Sequence, residues 1–143
     1  MTNGLSSTRA KIQHWINAIQ VIIIVILFFQ TFACYVQPDL LYGGLRVEGA
    51  AMRQAITVLA GRNAMMAVVS IWALVSQNPR LLLFAFVMHF LREGQDMFIV
   101  PLTPIEGAPP PVLNFFMFLV PFVIPEALAL NKLRKLVAEQ PAN

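Results

Sequence analysis

Charge is scarce in this chain: ten Lys or Arg and seven Asp or Glu in 143 residues, 12% against the roughly 25% of soluble globular proteins. That scarcity argues against a water-soluble domain. The net charge of +3 is no nucleic-acid signature, because its excess sits at the two ends, at Arg9 and Lys11 and at Lys132, Arg134 and Lys135. Cysteine is scarcer still. Cys34 stands alone, so no internal disulfide can form. With only His14 and His89, widely separated, the chain lacks a zinc pattern and a pair of axial haem ligands. It also lacks a Gly-rich phosphate loop and a nucleophile elbow. No metal and no cofactor is expected, and no nucleic-acid partner.

What the chain has is apolar length. The hydrophobic fraction is 58%, gathered in four runs over 15–35, 55–76, 81–100 and 112–130. Each approaches the ~20 residues with which an α-helix crosses a bilayer. No stretch alternates in the manner of a barrel strand. The expected architecture is therefore all-α: a single membrane domain over 1–143, an antiparallel bundle of four transmembrane helices. Lys and Arg fall six to the side of the termini (Arg80 included) and two, Arg46 and Arg53, to the other. By the positive-inside rule both termini are expected in the cytoplasm. Bacterial inner membrane and eukaryotic endomembrane fit equally, since no address signal is visible.

The first run is too long for a signal-peptide core, and no small-x-small site follows it. Thr31-Phe32-Ala33-Cys34 lacks the aliphatic residue of a lipoprotein cleavage box, so the run is read as a helix. The stretch 45–55 reads as an interfacial lead-in, with Tyr42-Gly43-Gly44 as a turn before it. Gln77-Asn78-Pro79-Arg80 predicts a tight turn. Residues 101–111, rich in proline, are expected to form a rigid outer loop that cannot be helical. Pro121 and Pro125, four apart inside the last run, predict a bend.

The third run is the informative one. Its purely apolar part, 81–88, is too short to span, so a spanning helix must carry His89, Arg92, Glu93 and Asp96 into the membrane. Their spacing i, i+3, i+4, i+7 places them on one helix face. Each such group costs roughly 2.5–3.5 kcal/mol on insertion scales, so they are expected to face the bundle interior. The second run contributes Arg62 and Asn63, and Ala60, Gly61 and Ala64 allow close helix contact. At about 1.5 Å per residue Arg62 lies about 10 Å from the outer side, Asp96 about 6 Å, Arg92 about 12 Å and His89 about 16 Å. Gln30, Thr31, Cys34 and Asn114 belong to the same half. These depths predict a polar pocket on the outer-leaflet side, with Arg62, Asn63, His89, Arg92, Glu93 and Asp96 as candidate ligand-binding residues. A plainer reading stands beside it: Arg62 with Asp96, and Arg92 with Glu93, as neutralising pairs that pin the bundle. Glu126 is expected nearer the inner surface, with Arg80 as a partner.

Gly61-Arg62 followed by small residues, Asp96 near the outer end of the third helix, and Pro38 followed by Tyr42-Gly43 together resemble the small four-helix DoxX-like membrane proteins. Asn63 departs from the acid often found at its position, and the charged strip from His89 to Asp96 is unusual. The resemblance implies four helices and a pocket involving Arg62 and Asp96. It implies no one reaction, because the group is associated with quite different systems, quinone-linked sulfur oxidation among them.

Three functions are open to such a chain. One is an accessory subunit, with a protein partner or a second copy of itself, or a binder of a small lipophilic molecule. Another is a membrane-embedded enzyme, an acid/base isomerase, a cyclase or a quinone-linked step. Its catalytic candidates are Asp96 or Glu93 as the acid, His89 as a proton relay, and Arg62 or Arg92 facing developing negative charge. The third is a proton or small-solute carrier, for which only Glu126 and Gln20 hint at an inner route. Membrane lipid is a partner in all three.

Overall fold

A computed structural model describes residues 12–38, 48–102 and 110–139. The described residues are helical, with no strand among them: α1 (His14–Val36), α2 (Ala50–Ser76), α3 (Pro79–Leu102), α4 (Pro111–Phe118) and α5 (Ile124–Ala138). A π-helical turn, Leu119–Val123, joins α4 to α5, so the last two form one rod of 28 residues. Three rods, α1, α2 and Pro111–Ala138, are long and apolar enough to cross a membrane. The fourth, α3, has 24 residues and the length to do so, but it carries the charged strip.

The outer faces are apolar, unlike those of a soluble protein, and several polar groups lie within. Side chains such as Ile22, Val25, Phe29, Phe32, Met65, Trp72 and Leu91 stand exposed on the outer faces, while Gln20, Asn63, Ser70, His89, Glu93 and Glu126 are buried. A soluble monomer rarely exposes so large a contiguous apolar surface. In hydrocarbon the same surface is solvated. A core of Ile16, Leu27, Leu82, Phe86 and Leu133 closes the interior, with Ala67, Ala73, Ala85 and Ala129 where helices come close.

Several boundaries differ from those read in the sequence. α2 begins at Ala50, so most of the supposed interfacial lead-in is helix. Its residues Ala50-Ala51-Met52-Arg53-Gln54 are strong helix formers, and Gly49, at φ 88°, sets the start. α3 runs on through Pro101 to Leu102, and Pro111 opens α4 rather than ending a loop. A first-turn proline gives up an N–H that has no helical partner, which is why Pro111 is accepted there. The last rod continues to Ala138 because Leu133 and Leu136 keep the apolar period, and Leu133 is fully buried. The expected turn at Tyr42-Gly43-Gly44 and most of the proline-rich loop fall outside the described residues.

Only Gln77 and Asn78 separate α2 from α3. Gln77 takes the left-handed conformation, φ 49°, and its side-chain amide donates to the Leu74 carbonyl, covering an orphan acceptor at the end of α2. Asn78 then caps α3: its Oδ1 accepts the Arg80 N–H at 2.9 Å, its carbonyl accepts the Leu82 N–H at 3.0 Å, and Pro79 takes the first helical position. Asn78→Ala is expected to lose about 0.5–2 kcal/mol of stability, and Asn78→Asp to retain most of it, in thermal unfolding of the detergent-solubilised protein.

Candidate functional site

The polar groups meet at one amide. Gln30 on α1 directs its Oε1 inward, where it accepts the Asn63 Nδ2–H of α2 at 3.2 Å and an Arg92 guanidinium N–H of α3 at 2.6 Å. Arg92 also pairs with its neighbour Glu93 at 3.4 Å, both side chains nearly buried. Three helices are thus tied through one oxygen. A charge-assisted hydrogen bond of this kind is worth about 1.5–3 kcal/mol.

Above this knot lies a cleft of about 300 Å3, lined by Ile26, Gln30, Leu59, Arg62, Asn63, Arg92, Glu93, Asp96, Phe118 and Phe122. Its volume falls at the lower end of small-molecule sites. The polar residues come from α1, α2 and α3, and the two phenylalanines supply an aromatic wall from the fourth rod. Five of the six residues expected from the sequence line it: Arg62, Asn63, Arg92, Glu93 and Asp96. Arg62 and Asp96 act on each other electrostatically yet form no ion pair, and Arg62 makes no hydrogen bond among the described residues. A guanidinium and a carboxylate therefore both face the cleft without being consumed by one another. Arg92 and Glu93 do form the neutralising pair of the plainer reading.

His89 is set apart. It is fully buried, and its Nε2 is hydrogen-bonded to Ser70 Oγ of α2 at 2.7 Å; it is not among the residues lining the cleft. It sits about 10 Å further along α3 than Asp96, below the cleft floor. Glu126 also departs from expectation. It forms no ion pair with Arg80; it is buried, and the charged groups acting on it are Glu93 and Arg92. The reason is the length of the last rod, which ends at Ala138 and so leaves Glu126 about 18 Å from that end. The Asn114 side chain falls outside the described residues.

Five lining residues are not among the site candidates read from the sequence: Ile26, Leu59, Phe118 and Phe122, and Gln30, which the sequence places only in the same outer half. Gln30 carried a signal, as an amide in the most apolar run of the chain. The phenylalanines owe their position to the π turn. Pro121 and Pro125 supply no N–H to the carbonyls four residues back, and the Ile124 N–H reaches five residues back to Leu119 instead. The widened turn carries Phe118 and Phe122, ring centroids 6.4 Å apart, onto the cleft.

Seven buried side-chain atoms have no hydrogen-bond partner among the described residues: Asn17 Oδ1, both amide atoms of Gln20, Asn63 Oδ1, His89 Nδ1 and both oxygens of Glu126. Each such group left dry costs about 1–3 kcal/mol. No cluster of three His, Cys, Asp or Glu side chains suited to a metal ion occurs among the described residues. No family model, curated protein or solved structure matches the chain.

Replacing the shared acceptor tests the knot. Gln30→Leu strands the Asn63 amide and part of the Arg92 guanidinium, and a loss of about 2–4 kcal/mol is expected in reversible unfolding of the purified protein. A Gln30→Leu protein as stable as wild type would show that the amide carries no such role.

Proposed function

We propose that this chain is a multi-pass membrane protein of four antiparallel spans that binds a small lipophilic molecule with a polar head in the Gln30–Arg92 cleft. In that capacity it serves as a binding or accessory subunit. The observation that carries the reading is the convergence of Arg62, Arg92, Glu93 and Asp96 with Phe118 and Phe122 around one cleft. The amides and charges suit a polar head, the rings and Leu59 an apolar body, and a ligand drawn from the bilayer needs no aqueous entrance.

The antiparallel arrangement is supported by the cross-helix pairs. Asn17 meets Gln77 while Gln30 meets Asn63, Ser70 meets His89, and Phe98 stacks edge-on with Phe115. Between α1 and α2 the residue number rises on one helix as it falls on the other, and the two-residue link folds α3 back along α2. α3 lies beside Phe115 at Phe98 but beside Leu130 and Arg134 at Leu83 and Val87. This puts Arg80, Lys132, Arg134 and Lys135 on one side, and the positive-inside rule makes that side cytoplasmic. The cleft then opens towards the opposite leaflet. We extend the proposal to kinship with the DoxX-like proteins. It rests on Gly61-Arg62 and Asp96, with the third element, at Tyr42-Gly43, outside the described residues.

A second reading is favoured by the carboxylates themselves. Glu93 and Asp96 share the cleft with two guanidiniums, the set an acid/base step on a lipid-soluble substrate would use. Under it, Glu93→Gln or Asp96→Asn would still bind substrate but not turn it over.

Native mass spectrometry of protein extracted gently from its own membrane tests the binding reading. A defined small molecule is expected on wild type, absent from Arg62→Ala and Asp96→Asn and depleted in Phe118→Ala. A stoichiometric protein partner with no small molecule would overturn ligand binding and leave the charges structural.

A further inference from the structure

The cleft is not the end of the buried polar groups. Beyond its floor, Glu126 on α5 and the His89–Ser70 pair between α3 and α2 continue inward, followed by Gln20 on α1 and then by Asn17 with Gln77. The helix rise gives their order. Gln20 lies about 15 Å along α1 from Gln30, and Asn17 about 4.5 Å further; Ser70 and Gln77 follow Asn63 along α2 by about 10 and 21 Å. On α3, His89 is about 6 Å beyond Glu93. Successive polar levels are thus spaced by distances that one to three waters would bridge.

Gln20, His89 and Glu126 are each at most 1% exposed, and five of their polar atoms lack a hydrogen-bond partner among the described residues. Buried groups of this kind are ordinarily satisfied, by protein or by water. Lipid offers them nothing. We propose that Glu126, His89, Ser70 and Gln20 hold a file of internal waters and form a proton route from the cleft to the Asn17–Gln77 end of the bundle. Glu126 is its proton carrier: it takes a proton from water on one side and releases it to water on the other. It is faced by Glu93 and Arg92, so the route meets the cleft at its charged floor. Intramembrane Glu and His residues in series are the usual material of proton relays. The inference rests on the membrane-spanning arrangement but not on the identity of the ligand.

The test is proton flux in proteoliposomes with an imposed pH gradient, with potassium and valinomycin carrying the compensating charge. Wild-type protein is expected to collapse the gradient several-fold faster than protein-free vesicles. Glu126→Gln, which keeps the shape and removes the exchangeable acid, and Gln20→Leu, which changes no charge, are each expected to bring the rate back towards the protein-free value. Phe84→Leu, on an exposed outer face, serves as the control and should conduct as wild type does. If Glu126→Gln fails to elute as a folded, monodisperse species, Gln20→Leu decides. Wild-type vesicles that hold their gradient as long as protein-free ones would overturn the route, as would conduction untouched by both substitutions. Retention of a small molecule in the cleft is read separately by mass spectrometry, so either result leaves that reading to stand or fall on its own.

Discussion

One oxygen atom organises the interior of this protein. Gln30 Oε1 accepts from Asn63 and from Arg92, and through them α1, α2 and α3 are held at a fixed rotation and depth. In a bilayer such an acceptor has few rivals. Lipid tails offer neither donors nor acceptors, so a buried guanidinium must find its partners within the bundle. Arg92 finds two, Gln30 and Glu93, and this frees Arg62 and Asp96 to face the cleft. The same constraint explains why the helices show apolar residues outward and amides, a histidine and carboxylates inward. Helix association here does not need the hydrophobic effect between helices; close packing at small residues and a few interior hydrogen bonds suffice.

The fourth rod contributes differently. Among the described residues it brings no polar atom to the knot, but its two prolines force the π turn, and the turn places an aromatic wall opposite the charged floor. A regular helix through 119–123 would rotate every later residue by a different phase. The proline pair is thus linked to the cleft through backbone geometry, and to the burial of Glu126, which follows immediately after it in α5.

Much of this was legible in the sequence. The apolar runs fixed the number of helices, Asn78-Pro79 marked the α2–α3 turn, and the spacing of His89, Arg92, Glu93 and Asp96 put charge on one face. Depth arithmetic brought Arg62 to the level of Asp96. The arithmetic fails where it depends on a boundary: a last helix ending at 130, eight residues short of Ala138, puts Glu126 near the inner surface. His89 shares the face of the strip but lies too deep for the cleft, and a one-dimensional face carries no floor. The role of Gln30 depends on the rotation of α1 against its neighbours, which no pattern within α1 encodes. The aromatic wall depends on a π turn, and two prolines predict a bend without saying how the helix will widen.

The central physical claim is that Gln30 and Arg92 act as a unit across the bundle. A double-mutant cycle on Gln30→Leu and Arg92→Met, read from reversible unfolding in bilayers or bicelles, measures it directly. The account predicts a coupling of about 1–3 kcal/mol, because each single change strands a partner that the double change removes. Additive losses, with no coupling between the two positions, would contradict it.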